Sequence, residues 1–318
     1  MTARSLRFAT DSDYEHTRDV QRGAVPIKGV SAIDWKEIPL LDMFTRQDEW
    51  DLAEVSFGKY CELIDSGDEA LSAVPVFQSR AFRHTAFYVR RDSSTRSLND
   101  LNGARIGVPD WSQTAVIYAR GMLAHGYGID LRSITWIQGG INAPSTNTFM
   151  RLPDGFDGCI SQERSLHDLL RSGDLDAVIS AVAPKDFDPD GAGEIRWLCP
   201  DPFAEERAYY ANSGIYPLMH VLAARRELLI DNPSLSSALC DAFDAAATNS
   251  IERLVDFANP YTPLPWLAEV VNSRRALLGD DLWPSGVDAN RKSIDAFLLY
   301  SYEQGVSSRH LTCEQLFA

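Results

Sequence analysis

The sequence has no run of about 18 consecutive apolar residues, the length a membrane-crossing helix requires, and this argues against a chain built on such helices. Basic residues are scarce: 30 Lys and Arg stand against 45 Asp and Glu, a net charge of −15, with no basic block. Nucleic acid and anionic membrane are therefore disfavoured as partners, since both require a basic footprint. A small anionic ligand stays compatible, because it needs only a few local cations. The five cysteines, Cys61, Cys159, Cys199, Cys240 and Cys313, are scattered without a CxxC pair. Reduced thiols are expected rather than disulfides or a structural zinc site. No GxGxxG or Walker pattern is present, which argues against a dinucleotide or nucleoside triphosphate. The opening residues, MTARSLRFATDSDYEH, lack the apolar core of a secretory signal, so a cytoplasmic location is expected. Internal repeats and low-complexity linkers are also missing. Any two lobes must then be joined by strands rather than by a flexible tether.

What is present fits two lobes or one large α/β domain, given 318 residues. The stretch Pro75 to Arg91, PVFQSRAFRHTAFYVRR, places arginines and a histidine inside an apolar, strand-like run, where charge is costly unless paired or in contact with a ligand. If the chain is extended from Arg80, the two-residue repeat puts Arg80, Phe82 and His84 on one face, and Ala81, Arg83 and Thr85 on the other. A cation, an aromatic wall and a titratable group side by side suit a planar, anionic ligand. The same stretch also reads as a buried strand whose Arg80 and Arg83 pair with carboxylates.

Residues 5–10 read as a first strand, with Tyr14, Thr17 and Arg18 in the polar turn after it, where open α/β sheets bind ligands. Residues 30–40 read as a second strand and 42–50 as a short helix. A further strand ends near Ser56, whose hydroxyl either caps the next helix or, with free backbone N–H groups, holds a carboxylate. A strand over 105–108, a loop containing Trp111 and a helix from about Thr114 make another strand-loop-helix junction, with Trp111 able to stack on a ring. Residues 133–140 and 165–184 continue the alternation and argue for a mostly parallel sheet. From Pro200 the chain is rich in aromatics, with Tyr209, Tyr210, Tyr216 and His220 close together, and from Asn232 it is largely helical.

In these residues the chain resembles the 4,5-dihydroxyphthalate decarboxylase family, nearly end to end. The carriers are DSDYEHTRDV (11–20), LAEVSFGKY (52–60), AVPVFQSRAFRHTAFYVRRD (73–92), IGVPDW to TA (106–115), SGDLDA (172–177), SGIYPLMH (213–220), LPW (264–266), DLWPSGVDANR (281–291) and YEQGVSSRHLTCEQLF (302–317). The resemblance implies a two-lobed α/β fold like the type II periplasmic binding proteins, with the ligand in a cleft between the lobes. It places the first lobe at 1–91 and 214–318, the second at 92–213. Tyr14, Thr17, Arg18, Ser56, Ser79, Arg80, Arg83, His84, Thr114 and His220 match the family's blocks. Where the family's second-lobe loops are expected to read PGR and AR-P, this chain has Pro144-Ser145-Thr146 and Ala181-Val182-Ala183-Pro184. Two arginine positions are thus replaced, at Thr146 and Val182, and since arginine grips a carboxylate through two hydrogen bonds, the acid bound is expected to differ. Trp111 stands for an expected tyrosine, and Gly58-Lys59 for two serines.

Decarboxylating an aromatic acid requires a proton donor at the ring, a cation for any carboxylate that stays, and an apolar wall. Histidine titrates near working pH, and the candidates for the donor are His84 and His220. Arg80 and Arg18 would hold the acid, while Phe82, Trp111 and Tyr216 would frame the ring. His16, His125, His167 and His310 are expected at the surface. No cofactor is expected; no two histidines stand at metal-ligand spacing, so a divalent metal would have to draw ligands from separate segments. The expected ligand is a small aromatic carboxylic acid and the expected assembly a homo-oligomer. The same fold also serves solute-binding proteins without catalysis, and the same groups serve another lyase or a dehydratase.

Overall fold

The computed structural model describes residues 4–145, 152–190, 192–259 and 261–317. Its strands are β1 (Arg4–Thr10), β2 (Val30–Glu37), β3 (Leu52–Ser56), β4 (Leu71–Arg80), β5 (Phe87–Arg90), β6 (Arg105–Val108), β7 (Thr135–Gly139), β8 (Asp157–Ser161), β9 (Ala177–Ile179), β10 (Ile195–Trp197) and β11 (Leu218–Arg225). Its helices are α1 (Arg18–Gln21), α2 (Phe57–Asp65), α3 (Thr114–Tyr127), α4 (Leu166–Ser172), α5 (Pro202–Ser213), α6 (Arg226–Asp231), α7 (Leu235–Val255), α8 (Leu267–Leu278), α9 (Val287–Glu303) and α10 (Cys313–Leu316). They form two compact units. One comprises Met1–Arg80, Leu218–Ile294 and Thr312–Ala318, the other Ala81–Pro217 and Asp295–Leu311. The expected bound at 91 differs because β5 pairs with β9 and β10, which carries residues 87–90 into the second unit, and residues 295–311, expected in the first lobe, also belong to the second unit.

In the first unit the sheet order is β2-β1-β3-β11-β4. Strands β1, β2 and β3 run parallel, while β11 is antiparallel to both β3 and β4, so the expected mostly parallel sheet is mixed here. The inner strands LAEVS and LMHVLAAR are almost wholly buried, the mark of strands covered on both faces. Along α7, Leu235, Ala238, Leu239, Ala242, Phe243 and Ala246 recur at helical spacing and cover Leu6, Phe8, Leu52, Val74 and Leu222. Each large side chain sealed in this way contributes about 1.5–3 kcal/mol. Residues 42–50 do not form the expected helix: the chain makes two short 3-10 turns, Leu40–Asp42 and Gln47–Glu49.

The second unit has the order β10-β5-β9-β6-β7-β8, with β9, β6, β7 and β8 parallel and β5 antiparallel to its neighbours. Helix α3 is buried at every position from Thr114 to Leu123, so it packs on all sides rather than along one stripe. At Gly121 a Cβ would lie 2.1 Å from the Tyr300 ring, a close approach only glycine permits. Helix α5 occupies the aromatic segment after Pro200, capped by Asp201 with Pro202 in its first turn and closed by Gly214. Those are sequence signals for a helix. Among the described residues no helix is long and apolar enough to cross a membrane.

Candidate functional site

The parallel strands β1 and β3 end together at Thr10 and Ser56, and β4 ends beside them at Arg80. Antiparallel β11 begins at the same edge, placing His220 in register opposite both Ser56 and Ser79. Side chains two apart on a strand share a face, so Glu54 points the same way as Ser56. The carboxylate of Glu54 is fully buried. It accepts from His220 Nδ1 at 2.5 Å, from the Tyr14 hydroxyl at 2.6 Å and, on its other oxygen, from the Thr10 hydroxyl at 2.9 Å. Burial alone would push the Glu54 carboxyl up, but these hydrogen bonds outweigh it and hold the group below the usual carboxylate range. The Tyr14 phenol is driven upward by burial and by the Glu54 charge beside it, so it remains a neutral donor. His220 therefore presents a ring fixed through Nδ1, with its side chain 19% exposed, on a buried anion. Such a pairing fixes the orientation and tautomer of the ring.

The other first-unit candidates have plainer positions. Thr17 is buried and its hydroxyl closes the turn onto the Tyr14 carbonyl at 3.1 Å. Arg18 pairs with Glu15 at 2.5 Å. Ser56 caps α2, accepting from the Lys59 N–H at 3.5 Å, and Ser79 interacts with the Tyr14 hydroxyl. Arg80 is 9% exposed, donates to the Pro284 carbonyl and lies 5.1 Å from the Trp283 ring centroid. Its charge acts on His16, which places it in this cluster.

The expected face of Arg80, Phe82 and His84 does not form. Strand β4 stops at Arg80, the chain leaves the sheet, and residues 84–86 make a 3-10 turn, so the two-residue repeat has no strand to act on. Phe82 stacks on Tyr216, with centroids 4.7 Å apart, within the second unit. Arg83 sits beside Tyr88 and Glu206. His84 is fully buried, bonded through Nε2 to the Tyr127 hydroxyl at 3.0 Å, and burial holds it down to about 4. A sealed, neutral imidazole is unsuited to giving a proton to a ligand. Trp111 is 3% exposed, with its indole N–H donated to the Gln304 carbonyl, and a ring so enclosed offers no stacking face. Thr114 is buried at the start of α3. Val182 is 59% exposed, and Thr146 lies outside the described residues.

Of the histidines expected at the surface, His125 and His310 are exposed. His167 is buried and bonded to Asp186 at 2.9 Å. His16 is also half-buried, and burial lowers it to about 4. The sequence pointed to neither Glu54 nor His16 as site residues. Among the described residues no group of three His, Cys, Asp or Glu is placed to hold a metal ion.

The buried histidines give a pH prediction. His84 titrates near 6.5 when exposed and about 4 in the fold, so between these values the unfolded chain binds a proton that the folded protein excludes. Stability is complete above pH 6.5 and falls as pH drops toward 4, by up to about 1.4 kcal/mol per pH unit for this one group. Urea unfolding across that window should show a shallower slope in His84→Phe than in the parent, whatever the variant's absolute stability. Equal slopes would contradict the assignment.

A model of phosphonate ABC transporter periplasmic substrate-binding proteins matches residues 41–188. A sulfonate-binding protein SsuA of Methylobacillus flagellatus superposes with a TM-score of 0.55 at 14% identity, covering 100% of this chain and 92% of that one. The Escherichia coli aliphatic sulphonate binding protein gives 0.52 at 14%, over 99% and 92%. The desulfurization enzyme DSZB gives 0.53 at 15%, over 99% and 96%. The fold is therefore that of the periplasmic binding proteins, shared by receptors and at least one enzyme. Along the sequence, the chain is 34% identical over 310 residues to the 4,5-dihydroxyphthalate decarboxylase of Comamonas testosteroni, covering 96% of this chain and 94% of that protein. It is 34% identical over 203 residues to that of Pseudomonas putida, covering 62% and 78%. The chain belongs to the 4,5-dihydroxyphthalate decarboxylase family.

Proposed function

We propose that the chain is a non-oxidative decarboxylase of a hydroxylated aromatic carboxylic acid, and that the first-unit cluster at the strand ends performs the proton transfer. The observation that carries this reading is the 2.5 Å contact between His220 Nδ1 and the buried Glu54 carboxylate. With Nδ1–H held by Glu54, the transferable proton sits on Nε2. The names of the relatives specify a ring on which each carboxylate has a hydroxyl para to it, which is the chemistry such a donor requires.

Direct loss of carbon dioxide would leave an electron pair on a ring carbon that cannot hold it. Protonation comes first instead. His220 gives its proton to the carbon bearing the carboxylate, and the para hydroxyl releases its own proton as the ring becomes a dienone. The C–C bond then breaks, its electron pair restores the aromatic ring, and the former hydroxyl oxygen takes a proton back. One proton is consumed, one carbon dioxide leaves, and His220 is recharged from solvent. No electron acceptor or donor enters the balance. Glu54 holds the His220 ring in position for the transfer, and Arg80 supplies positive potential for a carboxylate that stays.

Purified protein incubated with hydroxylated aromatic mono- and dicarboxylic acids tests this by carbon dioxide release. Release from at least one acid is expected. The preference between mono- and dicarboxylic acids reads out whether the replacements at Thr146 and Val182 altered acid selection. Saturable binding of these acids without release from any would favour a solute-binding protein, the role the fold plays in its sulfonate-binding relatives.

A further inference from the structure

We propose that His16 is the residue of this site that recognises a ring hydroxyl of the acid, accepting its hydrogen bond on Nδ1. The inference rests on the decarboxylase reading for its choice of ligand, but its geometry stands separately. His16 Nε2 lies 3.0 Å from the Gln78 carbonyl oxygen. A carbonyl can only accept, so Nε2 carries the hydrogen and, in a neutral ring, Nδ1 carries a lone pair. Neutrality follows from the surroundings: burial disfavours the cation and the Arg80 charge adds to it.

The ring is also locked in direction. Its centroid lies 5.2 Å from that of Tyr14 and 4.7 Å from that of Trp283. Trp283 is in turn tied through its indole N–H to the Phe77 carbonyl at 2.9 Å. Nδ1 makes no hydrogen bond among the described residues, and it is not one of the sealed polar atoms. An acceptor is thus held in a fixed orientation and open to a partner. Its neighbour Tyr14 touches both Glu54, at 2.6 Å, and His220, at 3.4 Å, so the acceptor borders the proton-transfer pair.

The chemistry of such an acceptor is selective. A lone pair attracts an O–H and repels a carboxylate oxygen, so it sorts the two kinds of substituent on one ring. It also favours the reaction, because an acceptor at the hydroxyl assists the electron shift toward the carbon being protonated. A ligand lacking the hydroxyl leaves the acceptor unmet, and a site built to pair with a hydroxyl discriminates against analogues without it.

The test is calorimetric binding of 4,5-dihydroxyphthalate and phthalate at pH 7, two acids that differ only in ring hydroxyls, with thermal melting to confirm the fold of each variant. The parent should bind the hydroxylated acid about 5-fold more tightly, as one hydrogen bond worth about 1 kcal/mol implies. In His16→Phe, which keeps a stacked ring and removes the acceptor, the ratio should fall to near 1. In His16→Asn, whose amide can both donate to Gln78 and accept, part of the ratio should return. Equal losses for both acids in His16→Phe, an unchanged ratio, or a parent that does not discriminate would overturn the assignment. Carbon dioxide release is followed in the same samples: a hydroxyl preference that depends on His16 without release would defeat the decarboxylase reading alone, and release with an unchanged ratio would defeat the His16 proposal alone.

Discussion

His220→Ala is expected to lower the rate of carbon dioxide release by about 10²- to 10⁴-fold, the range a positioned acid contributes, while changing affinity for the acid far less. The split follows from where the ring acts: its proton is needed at the ring carbon, whereas the acid is held by other groups. Glu54→Gln keeps the shape of the partner and removes its charge, so it should also slow turnover, by less than removal of the imidazole. Stopped-assay kcat beside calorimetric affinity separates the two quantities. A fall in affinity matching the fall in rate would make His220 a binding residue and return the donor question to another group.

The second large effect is on stability, and it falls in the other unit. Arg120→Ala is expected to cost about 2–4 kcal/mol, as stranded buried acceptors and a new cavity imply. Arg120 is fully buried within α3 and lies with its guanidinium 3.5 Å from the Trp111 ring centroid. It donates to the Gln304 side chain at 2.7 Å and to the Trp111 carbonyl at 2.5 Å. Gln304 also donates to the Ile117 carbonyl at 3.0 Å. Removing Arg120 strands these acceptors in a buried site and leaves a void beside Trp111. Arg120→Met, which restores much of the packing but none of the hydrogen bonds, should recover only part of the loss. Urea unfolding measures both, and a loss under about 1 kcal/mol for the alanine variant would contradict the account.

These positions also show how far the sequence could be read. Strand ends near Thr10 and Ser56 were legible from apolar runs broken by polar turns, and His220 and Tyr14 from the blocks around them. Glu54 carries a usable signal: a carboxylate inside LAEVS, between apolar neighbours, must find partners to be tolerated there. His16 carries none. It lies in the polar run DSDYEHTRD, and its burial depends on Trp283, a residue far along the chain. The extended reading of 80–84 failed for a different reason. Alternation assigns faces only where a strand exists, and the residues after Arg80 give no local mark that the chain leaves the sheet there. The place of Trp111 is not legible, because a tryptophan in a strand-helix loop reads alike whether it stacks on a ligand or on a buried arginine.

The measurement that bears most directly on the central claim is incubation of the protein in D2O with 4,5-dihydroxyphthalate and with related hydroxylated aromatic acids, following carbon dioxide and product mass together. Protonation before bond breaking at the Glu54–His220 pair predicts one carbon dioxide per acid consumed and one deuterium fixed at the vacated ring carbon. Thermal stabilisation by this and related acids, with no carbon dioxide released from any of them, would contradict it.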